Sequence, residues 1–471
     1  MQLTMTGQIV ETRRTRWAGS RPAPAPGAAR DVDFNWLMLL LATIVLEGAL
    51  RKWVLPDAFQ AGAYGAKDVL AALFIIGHPL PRTEAALKEV RTAALVVGVL
   101  LLPAFILGLV HNPLAAVSTY KNAVLWPVFA VHLTPHLNGR ILARLMPVMA
   151  IAAGGIAVLG AIQFATPPEA YMNRYAWRDM AAYVPVAAFG NVGGTRAAGT
   201  FSYISGMSAF GVFCVSLALW RSLLPTSRRQ KLFAGLAAAA GVCCALESGS
   251  RAPVITFVAM FVAATLVARR VRVFLRVWAA LLSIGVTVTF ILGPGIVTAF
   301  VDRWENANDT IIGRITGENE KGNFVRLILA NPVGIGLGRT TGYGFFENVQ
   351  TDSQLDSFDD GGSNALLESG LPGLMGLWVI TIPLVVLVVR GLSSKRHEFR
   401  SATALLGVFS VYSVWSGIWY SHTVTAFTWL SIAIWLSCLR SQPLPASGTL
   451  ARGLWRKAAA GKARDQARRN P

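Results

Sequence analysis

The stretch ALESGSRAPVITF, residues 245–257, lies where two apolar runs meet, 232–247 and 252–268. Glu247 and Arg251 are the only charges in this stretch. Apolar runs of about 16–22 residues recur along the whole 471-residue chain, long enough to cross a bilayer as helices. The chain is 54% hydrophobic and only 14% charged, with a mean hydropathy of +0.50. A soluble domain would carry roughly a quarter charged residues. Within lipid a segment must pair its own backbone N–H and C=O groups, which a helix does. The sequence therefore reads as an all-α polytopic membrane protein.

Twelve spans are expected, at 34–50, 62–77, 93–110, 114–132, 145–165, 203–220, 232–247, 252–268, 274–293, 371–389, 402–418 and 424–439. Lys67, Asp68 and Lys121 interrupt the second and fourth. Twelve spans put both termini on one side, and basic residues choose which. Of the 43 Lys and Arg, 30 fall on the tails and the loops near 78–92, 133–144, 221–231, 269–276 and 390–400. That face is expected to be cytoplasmic. The formal charge of +19 then reports topology and attraction to anionic lipid, not nucleic acid.

The expected organisation is a basic flexible tail over 1–33, a transmembrane core over 34–440 and a second basic tail over 441–471. Residues 1–33 lack the apolar core and cleavage site of a secretory signal. Cys214, Cys243, Cys244 and Cys438 all fall inside apolar runs, as small core residues and without zinc-ligand spacing.

Two outer loops are long, about 166–202 and 294–370. Long ordered loops tend to carry function. The first ends in GGTRAAGTFSYISG (193–206), with Arg196 just before the sixth span. The second contains Arg303, Arg314, Lys321, Arg326 and Arg339, and NFVRLILA (323–330) reads as a short amphipathic helix. NPVGIGLG after it resembles a phosphate loop, but no strand–turn–helix unit surrounds it, so a tight turn is expected. The loop closes in FDDGGSNALLESGLPG (358–373), which carries Asp359, Asp360 and Glu368. His422, in WYSHTVTAF, opens the twelfth span.

No metal-ligand cluster and no ATP motif are visible, so no metal or cofactor is expected, and a reaction at this face must use a substrate that is already activated. On the outer side of a bacterial inner membrane the usual activated sugar donor is a lipid diphosphate. Guanidinium groups stay charged and grip phosphate oxygens in a bidentate fork. Arg196, Arg251, Arg314, Arg326 and Arg339 are the candidate ligands of diphosphate or glycan. Glu368, Asp360 and His422 are the candidate proton acceptors.

Many spans, a late outer loop with R…NPVGIGLG, then ALLESGLPGLMG, resemble the O-antigen ligase and polymerase superfamily. SGSRAP resembles that family's Ser-Arg motif. EGALRKWVLPDAF (47–59), KDVL (67–70) and RAAGTFSYISG resemble a branch associated with exopolysaccharide loci. The resemblance covers about 34–440. It implies a metal-independent, GT-C-like glycosyltransferase of the bacterial inner membrane with its site facing the periplasm. The donor would be an undecaprenyl-diphosphate-linked glycan and the acceptor another glycan or glycolipid, with membrane lipid and other polysaccharide-assembly proteins as partners. It also places Arg251 and Arg196 at the family's phosphate-contacting positions. Ligases of the family carry His-Asn before the tenth span, whereas this chain has Ser363-Asn364, which favours a polymerase. A transporter or lipid-linked-glycan flippase is the alternative, with Lys67, Asp68 and Lys121 as its only sequence hints. A non-catalytic assembly partner is a third.

Overall fold

The computed structural model describes residues 28–80, 85–174, 188–189, 194–250, 252–268, 329–339, 361–415 and 421–440. They form α1 (Ala28–Ala49), α2 (Asp57–Gly77), α3 (Ala85–His111), α4 (Pro113–Leu133), α5 (Gly139–Ala165), α6 (Ile204–Leu223), α7 (Arg228–Glu247), α8 (Ala252–Ala268), α9 (Gly361–Leu392), α10 (His397–Ala402), α11 (Val408–Trp415) and α12 (His422–Arg440). Seven described helices are long and apolar enough to cross a membrane: α3 to α7, α9 and α12. The chain is thus a helical membrane protein. The expected spans fall on helix where they are described, except that the sixth begins at Ile204 and not at 203, and the span at 274–293 lies outside the described residues. The first helix begins at Ala28, ahead of the expected 34. The only described strands are two residues each, Ala188–Phe189 and Gly194–Thr195, paired antiparallel.

The helices carry apolar residues on both faces, which soluble helices do not. On α3, Val97, Leu101 and Ala104 are buried, while Val99, Leu102, Ile106 and Val110 point outward. The outward stripe repeats at helical spacing and is what lipid tails contact. α6 is enclosed along nearly its whole length and forms the centre, with α12 beside it. α7 lies against α6 where Gly211 and Gly241 face each other: a Cβ at Gly241 would stand 2.8 Å from the Gly211 carbonyl oxygen. Small residues let helix backbones approach this closely, and packing and dispersion hold them together in lipid.

Two features shape one end of the bundle. α1 finishes in a π-helical turn, Leu50–Val54, closed by the Leu55 amide on the Leu50 carbonyl at 2.7 Å. The extra residue turns both Arg51 and Lys52 inward, and both are buried. Next to it, the strap 194–203 crosses α1 at Gly48, where an added Cβ would collide with the backbone of Thr200, Phe201 and Ser202. Gly48→Ala is expected to lift the strap and to lower stability by about 1–3 kcal/mol, as overpacking does elsewhere. Thermal unfolding in detergent reads this directly, and an unchanged midpoint would show the strap does not press on α1.

Candidate functional site

The site lies where α1, α2, α4, α12 and the strap meet. Tyr64, Lys67 and Asp68 share one face of α2 through their i, i+3, i+4 spacing. Glu47, one turn before Arg51, accepts its Nη1 at 2.7 Å and also pairs with Lys67. Asp68 pairs with Lys121 of α4, its Oδ1 lies 2.6 Å from His422 Nε2, and it accepts the Trp126 indole N–H at 3.2 Å. Lys121 Nζ stands 2.8 Å from the same His422 nitrogen. A ring nitrogen placed between an ammonium and a carboxylate either accepts from the first or donates to the second. The three groups thus form one hydrogen-bonded unit.

The Tyr64 ring lies under Arg51, Lys67 and Lys121, with centroid distances of 4.8, 4.5 and 5.5 Å. Its electron-rich face adds cation–π attraction to the ion pairs. The strap closes the other side. Lys52 Nζ donates to the Gly199 carbonyl at 2.6 Å, and Arg51 Nη1 to Ser202 Oγ at 3.1 Å. Gly199 itself, at φ 56°, is pinned by Gln163, whose Oε1 accepts its amide at 2.7 Å. Glu47, Arg51, Lys52, Lys67, Asp68 and His422 are buried, and Lys121 and Tyr64 are half-buried. Among the described residues, Arg51, Lys52, Lys67 and Lys121 stand against two carboxylates, Glu47 and Asp68. Lys52 faces no carboxylate among them; its contacts are a carbonyl and the Trp53 ring. Burying an ion costs several kcal/mol even after relaxation, so each of these cations is expensive to hold here.

Alongside runs an apolar cavity of about 320 Å³ between α1 and α5, lined by residues that include Met38, Leu41, Val45, Met149, Gly155 and Thr200. It ends at Thr200, next to the carbonyl that Lys52 holds.

Of the residues expected from sequence, His422 sits inside this network. Arg196 lies on the strap, where its Nε donates to the Ser248 carbonyl at 3.0 Å and its Nη2 lies 3.5 Å from Ser250 Oγ. The strap thereby reaches the turn leading into Arg251. Arg251, Arg314, Arg326 and Asp360 lie outside the described residues, as do Asp359 and most of the 294–370 loop. Arg339 is half-buried at the end of Pro332–Arg339, with its Nη1 3.5 Å from the Ile335 carbonyl oxygen.

That glycine segment is a chain of turns, as expected, but a docked one. The Leu337 amide bonds to the Ala104 carbonyl of α3 at 2.9 Å, and the Gly336 amide to the Glu368 carbonyl at 3.1 Å. Gly336 has φ 108°, and a Cβ there would meet Gly108 N at 2.9 Å. Glu368 is fully buried, and its Oε2 accepts the Gly338 amide at 2.7 Å. This position braces the loop. Glu368→Ala is expected to cost about 1–3 kcal/mol by leaving that amide unpaired. Glu368→Gln keeps an acceptor and is expected to retain function within severalfold. A loss of 100-fold or more in Glu368→Gln with unchanged stability would instead mark Glu368 as the proton acceptor.

Sequence reasoning missed Glu47, Arg51 and Lys52 as site residues, and it read Lys67, Asp68 and Lys121 as interruptions of two spans and as the hints of a transporter. The available signal was charge inside apolar runs, with Glu47 and Arg51 at i, i+4. The π turn that makes Arg51 and Lys52 neighbours inside the bundle has no sequence signature. Comparison with known protein families finds no matching family, and none of the curated proteins compared matches the chain.

Proposed function

We propose that the chain is a metal-independent, GT-C-like glycosyltransferase of the polymerase type in a bacterial inner membrane. In this reading it has twelve spans, both termini are cytoplasmic and the network faces the periplasm. It moves an oligosaccharide from a polyprenyl diphosphate, undecaprenyl diphosphate in bacteria, onto an acceptor glycan. The observation that carries the reading is the buried excess of cations, with Lys52 opposite no described carboxylate. A diphosphate is the anion whose charge and shape answer it. The adjoining apolar cavity suits the polyprenyl tail, which must lie beside the charged head.

In the reaction the acceptor hydroxyl oxygen attacks the anomeric carbon. The bond from that carbon to the diphosphate breaks, and the diphosphate leaves with the electron pair. Arg51 and Lys52 stabilise the growing charge, in the manner of fixed donors in a dry site. Arg196 and Arg251 extend the phosphate contacts outward, and Arg314, Arg326 and Arg339 contact the glycan. The hydroxyl proton passes to the His422–Asp68–Lys121 group, with His422 as acceptor. Glu368 positions the glycine segment; Asp360 stays a candidate ligand of the acceptor.

A second reading has an observation of its own. A histidine, a carboxylate and a lysine in one hydrogen-bonded unit inside helical spans also suit a proton-coupled transporter or flippase. Purified protein in liposomes with a polyprenyl-diphosphate oligosaccharide, and no added magnesium or manganese, separates them. Longer lipid-linked chains are expected. Transfer to a lipid A core would mean a ligase, and leaflet exchange without new glycosidic bonds would sink the transferase reading.

A further inference from the structure

At the other end of the bundle, Asp33 from the start of α1, His78 from the end of α2 and His136 from the 3-10 turn Thr134–His136 after α4 come together. Nothing in their sequence spacing announces this. Each offers one ligand atom, and the three atoms lie within 4.8 Å of one another. His78 Nε2 is 3.5 Å from Asp33 Oδ1, and His136 Nδ1 is 3.2 Å from Asp33 Oδ2. Ligands held ~2.1 Å from a zinc ion at tetrahedral angles stand about 3.4 Å apart. The two observed separations, each to a different oxygen of the Asp33 carboxylate, are close to that edge.

The surroundings favour a metal over a plain pair of ion pairs. His78 Nδ1 lies 3.0 Å from the Phe74 carbonyl oxygen, placed to donate there, which leaves Nε2, the nitrogen facing Asp33, as the ligand atom. Metal-bound histidines are generally oriented in this way. His78 stacks on Phe74 with centroids 4.1 Å apart, and His136 meets His78 edge-on at 4.7 Å, so both rings are held by packing. The three side chains keep 16–24% exposure, which leaves an entry path and room for a water ligand.

We propose that Asp33, His78 and His136 bind a divalent transition metal, with Zn²⁺ the best fit, and that the ion ties together the ends of α1, α2 and α4. His78 is ten residues beyond Asp68 on α2, about 15 Å along the helix. The ion therefore acts as a clamp away from the ion network, and the proposal stands whether or not the chain is a transferase.

The test uses the full chain, purified through a tag without histidine and stripped with EDTA. Zn²⁺ is titrated against a competing fluorescent chelator, and Co²⁺ is followed by its tetrahedral visible absorption. One equivalent per chain is expected, together with a higher thermal midpoint on adding Zn²⁺. Asp33→Asn, His78→Gln and His136→Gln should each weaken binding by at least about 10- to 100-fold, the range known for losing even an outer partner of a ligand. His111→Gln, at an exposed histidine on α3, should change nothing. Three separate ligand variants keep the test sound if one fails to fold. Absence of saturable Zn²⁺ binding, or binding of undiminished affinity in the ligand variants, overturns the proposal and leaves a His–Asp–His hydrogen-bonded contact.

Discussion

Lys52→Met is expected to lower glycan transfer by about 10²- to 10³-fold, the loss seen when one preorganised donor to a developing anion is removed. The same substitution is expected to leave stability unchanged or to raise it by ~1 kcal/mol or more, because a buried ammonium facing no described carboxylate is replaced by an apolar chain of similar volume. The two opposite signs are the point of the experiment. A residue kept for packing loses stability and activity together when it is changed. A residue kept for a ligand costs stability in its absence. Initial rates with a polyprenyl-diphosphate donor and thermal unfolding of the same preparation give both values. A destabilised Lys52→Met that keeps its rate per folded molecule would mean the ammonium only anchors Gly199.

The second large effect is at His422. His422→Gln preserves a polar side chain of similar reach but cannot carry the proton. Transfer is expected to fall by roughly 10²- to 10⁴-fold in kcat with little change in KM. Asp68→Asn should fall to a similar floor, and the double variant no further, because groups that act as one unit lose their effect only once. Asp68→Asn also leaves Lys121 without its carboxylate in a half-buried place, so it should be less stable than His422→Gln. Kinetics of the two single variants and the double one check this. Additive losses would separate the two residues into independent roles.

The helical membrane architecture was legible because apolar length and the scarcity of charge are chemical facts of the chain itself. His422 and Arg196 were legible as polar groups at span ends. The heart of the network was not. Arg51 and Lys52 enter the bundle together through a π turn, a backbone detail that hydrophobic periodicity does not encode. Lys67 and Lys121 look like flaws in weak spans until Glu47 and Asp68 are seen beside them. Glu368 stood out from its place after an apolar run, but the seat of its carboxylate on the Gly338 amide was not legible, because that amide belongs to a segment thirty residues away. Asp33, His78 and His136 were invisible as a group, because only the antiparallel course of α1 and α2 brings their ends together.

The central claim is that Arg51 and Lys52, the buried cations at the end of α1, receive a diphosphate. A cryo-electron-microscopy structure of the full chain with a bound polyprenyl-diphosphate glycan measures that directly. The phosphate oxygens should lie about 3 Å from Lys52 and Arg51, with the tail entering the cavity between α1 and α5. Phosphates found elsewhere on the bundle, with Lys52 still closed on the Gly199 carbonyl, would contradict the account.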